Sequence, residues 1–142
     1  MLNMLDGVRL FAATARGMAF LLASLGFVTW TILSLWAGLT TQDAAFRLGE
    51  AWDTAAYFYV GVPVMAFTVA IAAFLHPERA WRWPLSLVAG HQIGVLLLGL
   101  GMQSGLSLLL LTLILAVLLA VFFAIPAFIG ATAARRLAER AY

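Results

Sequence analysis

His91 is the one ionisable side chain deep inside an apolar stretch of this sequence, and Gln92 follows it directly. An imidazole beside an amide within a bilayer can relay a proton, touch a quinone or ligate haem. With Gln103, the next polar side chain along the same segment, the two residues form a candidate polar path for a solute. A bis-histidine haem would need His76 as second ligand. That residue closes its own apolar stretch at the membrane surface, whereas His91 lies about 10 Å deeper at 1.5 Å rise per residue. The two imidazoles do not match in depth.

Other chemistries lose their residues one by one. The chain has no Cys, which removes thiol catalysis, disulfides and thiolate metal sites. Asp, Glu and Arg are missing from the apolar interiors, so carboxylate proton coupling, a voltage sensor and a metal–carboxylate hydrolase have nowhere to sit. Ser24, Ser34 and Ser107 lack a His or Asp placed to complete a triad. Gly90 and Gly94 follow no strand, so their spacing reads as a helix-packing motif and not as a dinucleotide loop. No catalytic residue, cofactor or metal site is expected.

The elements that must position these residues are membrane helices. Hydrophobic residues make up 65% of the chain and charged ones 10%, against about 25% charged in a soluble domain. Mean hydropathy is +1.05. A soluble protein of 142 residues could not bury that much apolar surface. Charge-free stretches run from Gly17 to Gln42, from Thr54 to Pro77 and from Trp83 to Ala134. The last is about 78 Å long as one helix, far beyond a hydrocarbon core of roughly 30 Å, and must fold back. Gly101-Met102-Gln103-Ser104-Gly105 is the natural break. The expected fold is an all-α integral membrane protein, a four-transmembrane-helix bundle forming one domain over 1–142, with spans near 17–40, 55–76, 83–101 and 105–132. Leu2, Leu5, Val8, Leu10 and Phe11 alternate with polar residues and suit a short interfacial N-terminal helix.

Arginine placement sets the expected orientation. All eight basic residues are Arg, and seven of them (Arg9, Arg16, Arg79, Arg82, Arg135, Arg136 and Arg140) fall on one side of the four-span scheme. Positive residues stay cytoplasmic, which predicts N-in and C-in in a bacterial cytoplasmic membrane. Arg79, Arg82, Arg135, Arg136 and Arg140 serve that topology and lie where lipid headgroups lie. The basic balance therefore implies no nucleic-acid partner.

Small residues predict how the spans meet. Gly17, Ser24, Thr31 and Gly38 recur every seven residues on the first span and are expected to face Ala56, Tyr59, Pro63, Ala66, Ala70 and Ala73 on the second. Thr112, Ala116, Ala120 and Ala124 recur every four on the last span. Gly90 and Gly94 share one face of the third span, which leaves only Ala89, Ile93, Leu96 and Leu100 as an apolar stripe. That helix is expected to be central or to join subunits. Pro63 and Pro126 should kink their helices. These patterns favour a non-enzymatic multi-pass protein acting by association, as an accessory or assembly subunit or a self-associating scaffold. A small oligomeric transporter or channel lined by the third span is the alternative, and a haem or quinone redox subunit ranks third. The partners expected are the lipid bilayer and other membrane subunits or further copies of the chain.

Overall fold

The computed structural model describes residues 14–40, 54–99 and 106–141, and every regular element among them is helical. Helix α1 spans Ala15–Thr40; a π-helical turn, Tyr57–Gly61, leads into α2, Val62–Leu75; α3 spans Arg82–Gly99 and α4 Leu106–Arg140. The expected N-terminal interfacial helix, the first loop and the Gly101–Gly105 break, with Gln103, lie outside the described residues. Three segments, Ala15–Leu39, Tyr57–Leu75 and Leu110–Arg140, are long and apolar enough to cross a membrane. Helix α3 has 18 residues, and Arg82, His91 and Gln92 dilute its apolar character.

Helix boundaries follow local chemistry. Thr14 caps α1, its Oγ1 accepting from the Gly17 N–H at 2.9 Å, and Thr54 does the same for Tyr57 at 3.3 Å. Proline explains the π turn. Pro63 has no N–H to give the carbonyl one turn back, and its ring crowds that carbonyl. The backbone widens just before it, and the Val62 N–H bonds to the Tyr57 carbonyl five residues earlier. At Pro126, by contrast, α4 continues without a break. It also runs beyond the expected end near residue 132, because Ala, Leu, Arg and Glu in 132–140 are good helix formers and nothing stops them.

The helix pairing differs from the one expected. Helix α1 packs mainly on α3, and α2 mainly on α4; α1 touches α2 only lightly. The expected α1 seam is not the main buried stripe, and its expected partner is not the helix that α1 packs on. Gly17 is buried but Ser24, Thr31 and Gly38 are only partly covered, and the Thr31 hydroxyl bonds back to the Phe27 carbonyl at 2.9 Å. The stripe in use is the neighbouring one, Ala23, Gly26, Phe27 and Trp30. A Cβ on Gly90 would strike the Ala23 backbone, one on Gly26 the Leu87 carbonyl, and one on Gly94 would lie 2.9 Å from Trp30 Cδ1. Along the second span, Tyr59 and Pro63 are exposed, Ala66 and Ala70 half-covered and Ala73 buried as expected; the π turn shifts the register, so that Tyr57, Gly61, Met65, Val69 and Ala72 join Ala73 on the inward face.

These contacts advance together along both chains, from Ala23–Gly90 to Trp30–Gly94, so α1 and α3 run parallel. The same holds for α2 and α4: Val62 shares a cleft with Leu118 and Leu119, Gly130 meets the Ala70 backbone, and Arg135 Nη2 donates to the Pro77 carbonyl at 3.2 Å. Helix α3 touches all three other helices. One end of the assembly collects Arg16, Arg79, Arg82 and Arg135.

The Gly90 contact has a direct test. Gly90→Leu must push α1 off α3 by its backbone, and a loss of about 1–3 kcal/mol or more in mixed-micelle unfolding is expected. Ala89→Leu, on the exposed side of the same turn, should change little.

Candidate functional site

Three helices converge on His91. Its side chain is 1% exposed, and the Tyr57 hydroxyl lies 3.1 Å from its Nε2 in a buried hydrogen bond. Whether hydroxyl or imidazole donates is set by the tautomer. Trp30 of α1 meets the imidazole edge-on, with ring centroids 4.9 Å apart at 65°. The same indole lies 6.1 Å from the Tyr57 ring at 82°. The three rings thus form one buried cluster of edge contacts, each worth about 0.5–1.5 kcal/mol beyond area.

Each ring owes its place to a local feature of the sequence. The π turn starts at Tyr57 and turns its side chain inward, whereas its neighbours Phe58 and Tyr59 remain exposed. Gly26 and Gly94 leave the room that lets Trp30 and the His91 backbone approach. Ser34, one turn beyond Trp30, is fully buried, and its Oγ has no hydrogen-bond partner among the described residues.

Gln92 faces the other way. About 100° further round the helix, it lines two shallow grooves between α3 and α4, of about 500 and 390 Å³. Ala116 lines both, and Val88, Ala89, Ala120 and Ala124 continue the first toward Trp81. Neither the amide oxygen nor the amide nitrogen of Gln92 has a hydrogen-bond partner among the described residues. The small-residue stripe of α4 therefore borders this groove: Thr112 is buried, and Ala116, Ala120 and Ala124 are half-covered. The buried α4 residues Phe123, Ala127, Gly130 and Ala131 form a separate face, and Gly130 meets α2.

The candidate polar path is thereby divided. His91 points into the α1–π-turn contact and Gln92 toward α4, while Gln103 lies outside the described residues. The Gly90–Gly94 face is filled by α1. His76 stands apart from His91, its ring 5.6 Å from that of Trp83 and its carbonyl accepting from Trp83 Nε1 at 3.0 Å. Arg79 and Arg82 line a recess beside it, and Arg136 and Arg140 are exposed on the last turns of α4. Among the described residues, no three His, Asp or Glu side chains converge as a metal site.

Sequence reasoning named neither Trp30 nor Tyr57 as a partner of His91. The available signal was an indole and a phenol at helical depth, each needing a polar partner when buried. No family model, curated protein or solved structure matches the chain.

The Tyr57–His91 bond should be energetically coupled. In a double-mutant cycle of Tyr57→Phe and His91→Leu, unfolding free energies should give a coupling of about 0.6–1 kcal/mol. Strict additivity would show that the bond contributes nothing.

Proposed function

We propose that this chain is a non-enzymatic multi-pass membrane protein that works by association, as an accessory or assembly subunit whose α3–α4 groove receives a helix of another membrane subunit. The observation that carries this reading is Gln92, whose amide is buried with no hydrogen-bonding group to meet it among the described residues, under a groove floored by alanines. Lipid chains offer no donor or acceptor, and an unsatisfied polar group in hydrocarbon costs several kcal/mol by rough reckoning. The amide atoms are buried beneath the groove, so a partner helix with a small polar side chain at that depth would satisfy them once the Gln92 side chain turns outward, and the alanines permit close approach.

His91 supports the same view from the other side. Its ring is held by Tyr57 and Trp30 within the chain, as in a polar contact that fastens helices together. Helix α4 adds a broad apolar surface, with Leu113, Val117, Val121 and Ile125 all more than half exposed.

In this reading all four helices span the bacterial cytoplasmic membrane as a bundle, with both termini cytoplasmic. Two features support that topology. Helix α3 lies parallel to α1 over the stretch from Ala23 to Trp30, and Arg16, Arg79, Arg82 and Arg135 gather at one end.

The absence of native cysteine gives a clean test. Ala120→Cys, cross-linked in native membranes, should yield one adduct of defined mass, and Gln92→Leu in the same background should abolish it. An adduct at twice the chain mass would make the partner a second copy and the protein a self-associating scaffold. Cross-linking to lipid alone, or an adduct indifferent to Gln92, would overturn the reading.

A further inference from the structure

At the arginine-rich end, α2 stops at His76–Pro77 and the chain turns sharply into α3. The turn encloses a recess of about 490 Å³ lined by Ala15, His76, Glu78, Arg79, Arg82 and Trp83, among others. It is a built feature. Trp83 is 2% exposed and pins the floor through its Nε1 bond to the His76 carbonyl, 3.0 Å long. The Arg82 and Trp83 N–H groups are tied to the Arg79 and Ala80 carbonyls at 3.0 and 3.3 Å.

Arg79 is the unusual residue. Its φ of 57° makes it the one non-glycine in the left-handed region among the described residues. An L side chain pays for that conformation, and glycine would hold the same turn at ease. A strained residue persists where the surrounding structure, and often a function, holds it. Here the strained position carries a guanidinium into a recess that a second guanidinium, Arg82, also lines. Arg82 lies 5.8 Å from the Trp81 ring centroid, which steadies it at the interface. Glu78 lines the same recess, yet no ion pair joins it to either arginine among the described residues. Two cations thus face one carboxylate.

We propose that this recess binds a phosphate-bearing anion, the headgroup of an anionic phospholipid, with Arg79 and Arg82 as its cationic contacts. Guanidinium groups suit phosphate oxygens because their paired N–H donors match two of them. The exposed indole of Trp81 beside the recess suits headgroup depth. The inference goes beyond the association reading and rests on a different end of the molecule.

The test uses the full chain in a neutral detergent and native mass spectrometry with added phosphatidylglycerol or phosphatidylcholine. Phosphatidylglycerol should be retained preferentially, and Arg79→Gly or Arg82→Gln should each weaken its retention about fivefold. Arg136→Gln and Arg140→Gln should leave it unchanged. Arg79→Gly also separates binding from folding, since it relieves the backbone: lipid-free melting should be unaltered or raised while lipid retention falls. Equal retention of both lipids, or unchanged phosphatidylglycerol retention in both recess variants, would overturn the proposal. Displacement of the lipid by inorganic phosphate, bound equally well alone, would overturn the lipid assignment and make the ligand a soluble phosphate.

Discussion

Backbone-to-backbone approach of α1 and α3 is the constraint on which the other contacts rest. Between helices in lipid there is no gain from hiding apolar surface from water, so association depends on close packing and a few polar contacts. Gly26 and Gly90 supply the closeness, because a side chain at either would meet main-chain atoms of the facing helix. That approach lays Trp30 against Gly94 and over the His91 ring. His91 in turn holds the Tyr57 hydroxyl, and Tyr57 opens the π turn from which α2 continues. Helix α4 then completes the set along α2 and the remaining side of α3.

This sequence of contacts divides α3 into three unlike faces. Gly90 and Gly94 belong to α1, Gln92 borders α4 with Ala89 and Leu96 along the same grooves, and Ile93 points outward. The division matters for function, since adjacent polar residues on a helix suggest a shared task until their directions are known. His91 and Gln92 are adjacent in sequence and about 100° apart around the helix, which is enough to give them different neighbours. The first is bonded through Nε2 to Tyr57 within the chain, and the second has a buried amide with no partner among the described residues. That amide lies beneath the groove beside α4, the helix with the broadest exposed apolar surface.

Much of the architecture was legible in composition. The lengths of apolar sequence located α1, α2, α3 and α4 within a few residues, except where α4 runs on through Arg135, Arg136 and Arg140. The arginines named in advance do gather at one end as far as they are described. Helix pairing was not legible, for a physical reason: small residues recur at helical spacing on several faces of one helix. The stripe of Gly17, Ser24, Thr31 and Gly38 and the stripe of Ala23, Gly26 and Trp30 are one residue apart, and only the shape of the opposing helix selects between them. The π turn was equally hidden. Pro63 announced an irregularity, but a kink and a widened turn relieve the same clash, and only the second rotates Tyr57 inward. The exposed α2 stripe of Tyr59 and Pro63 follows from that rotation. The His91 site was half legible: the residue could be singled out from its apolar surroundings, and its partners Tyr57 and Trp30 could not.

The parallel apposition of α1 and α3 is open to direct measurement in the membrane. Ala19 and Ser86 line the same cleft on the arginine-rich half of that contact. Cysteines placed at both positions, in a chain with none of its own, should be joined within one molecule by a short thiol-specific cross-linker. Ala19→Cys paired with Ala66→Cys, which the light α1–α2 contact keeps apart, should not be joined. Efficient linkage of the second pair and none of the first would contradict the account.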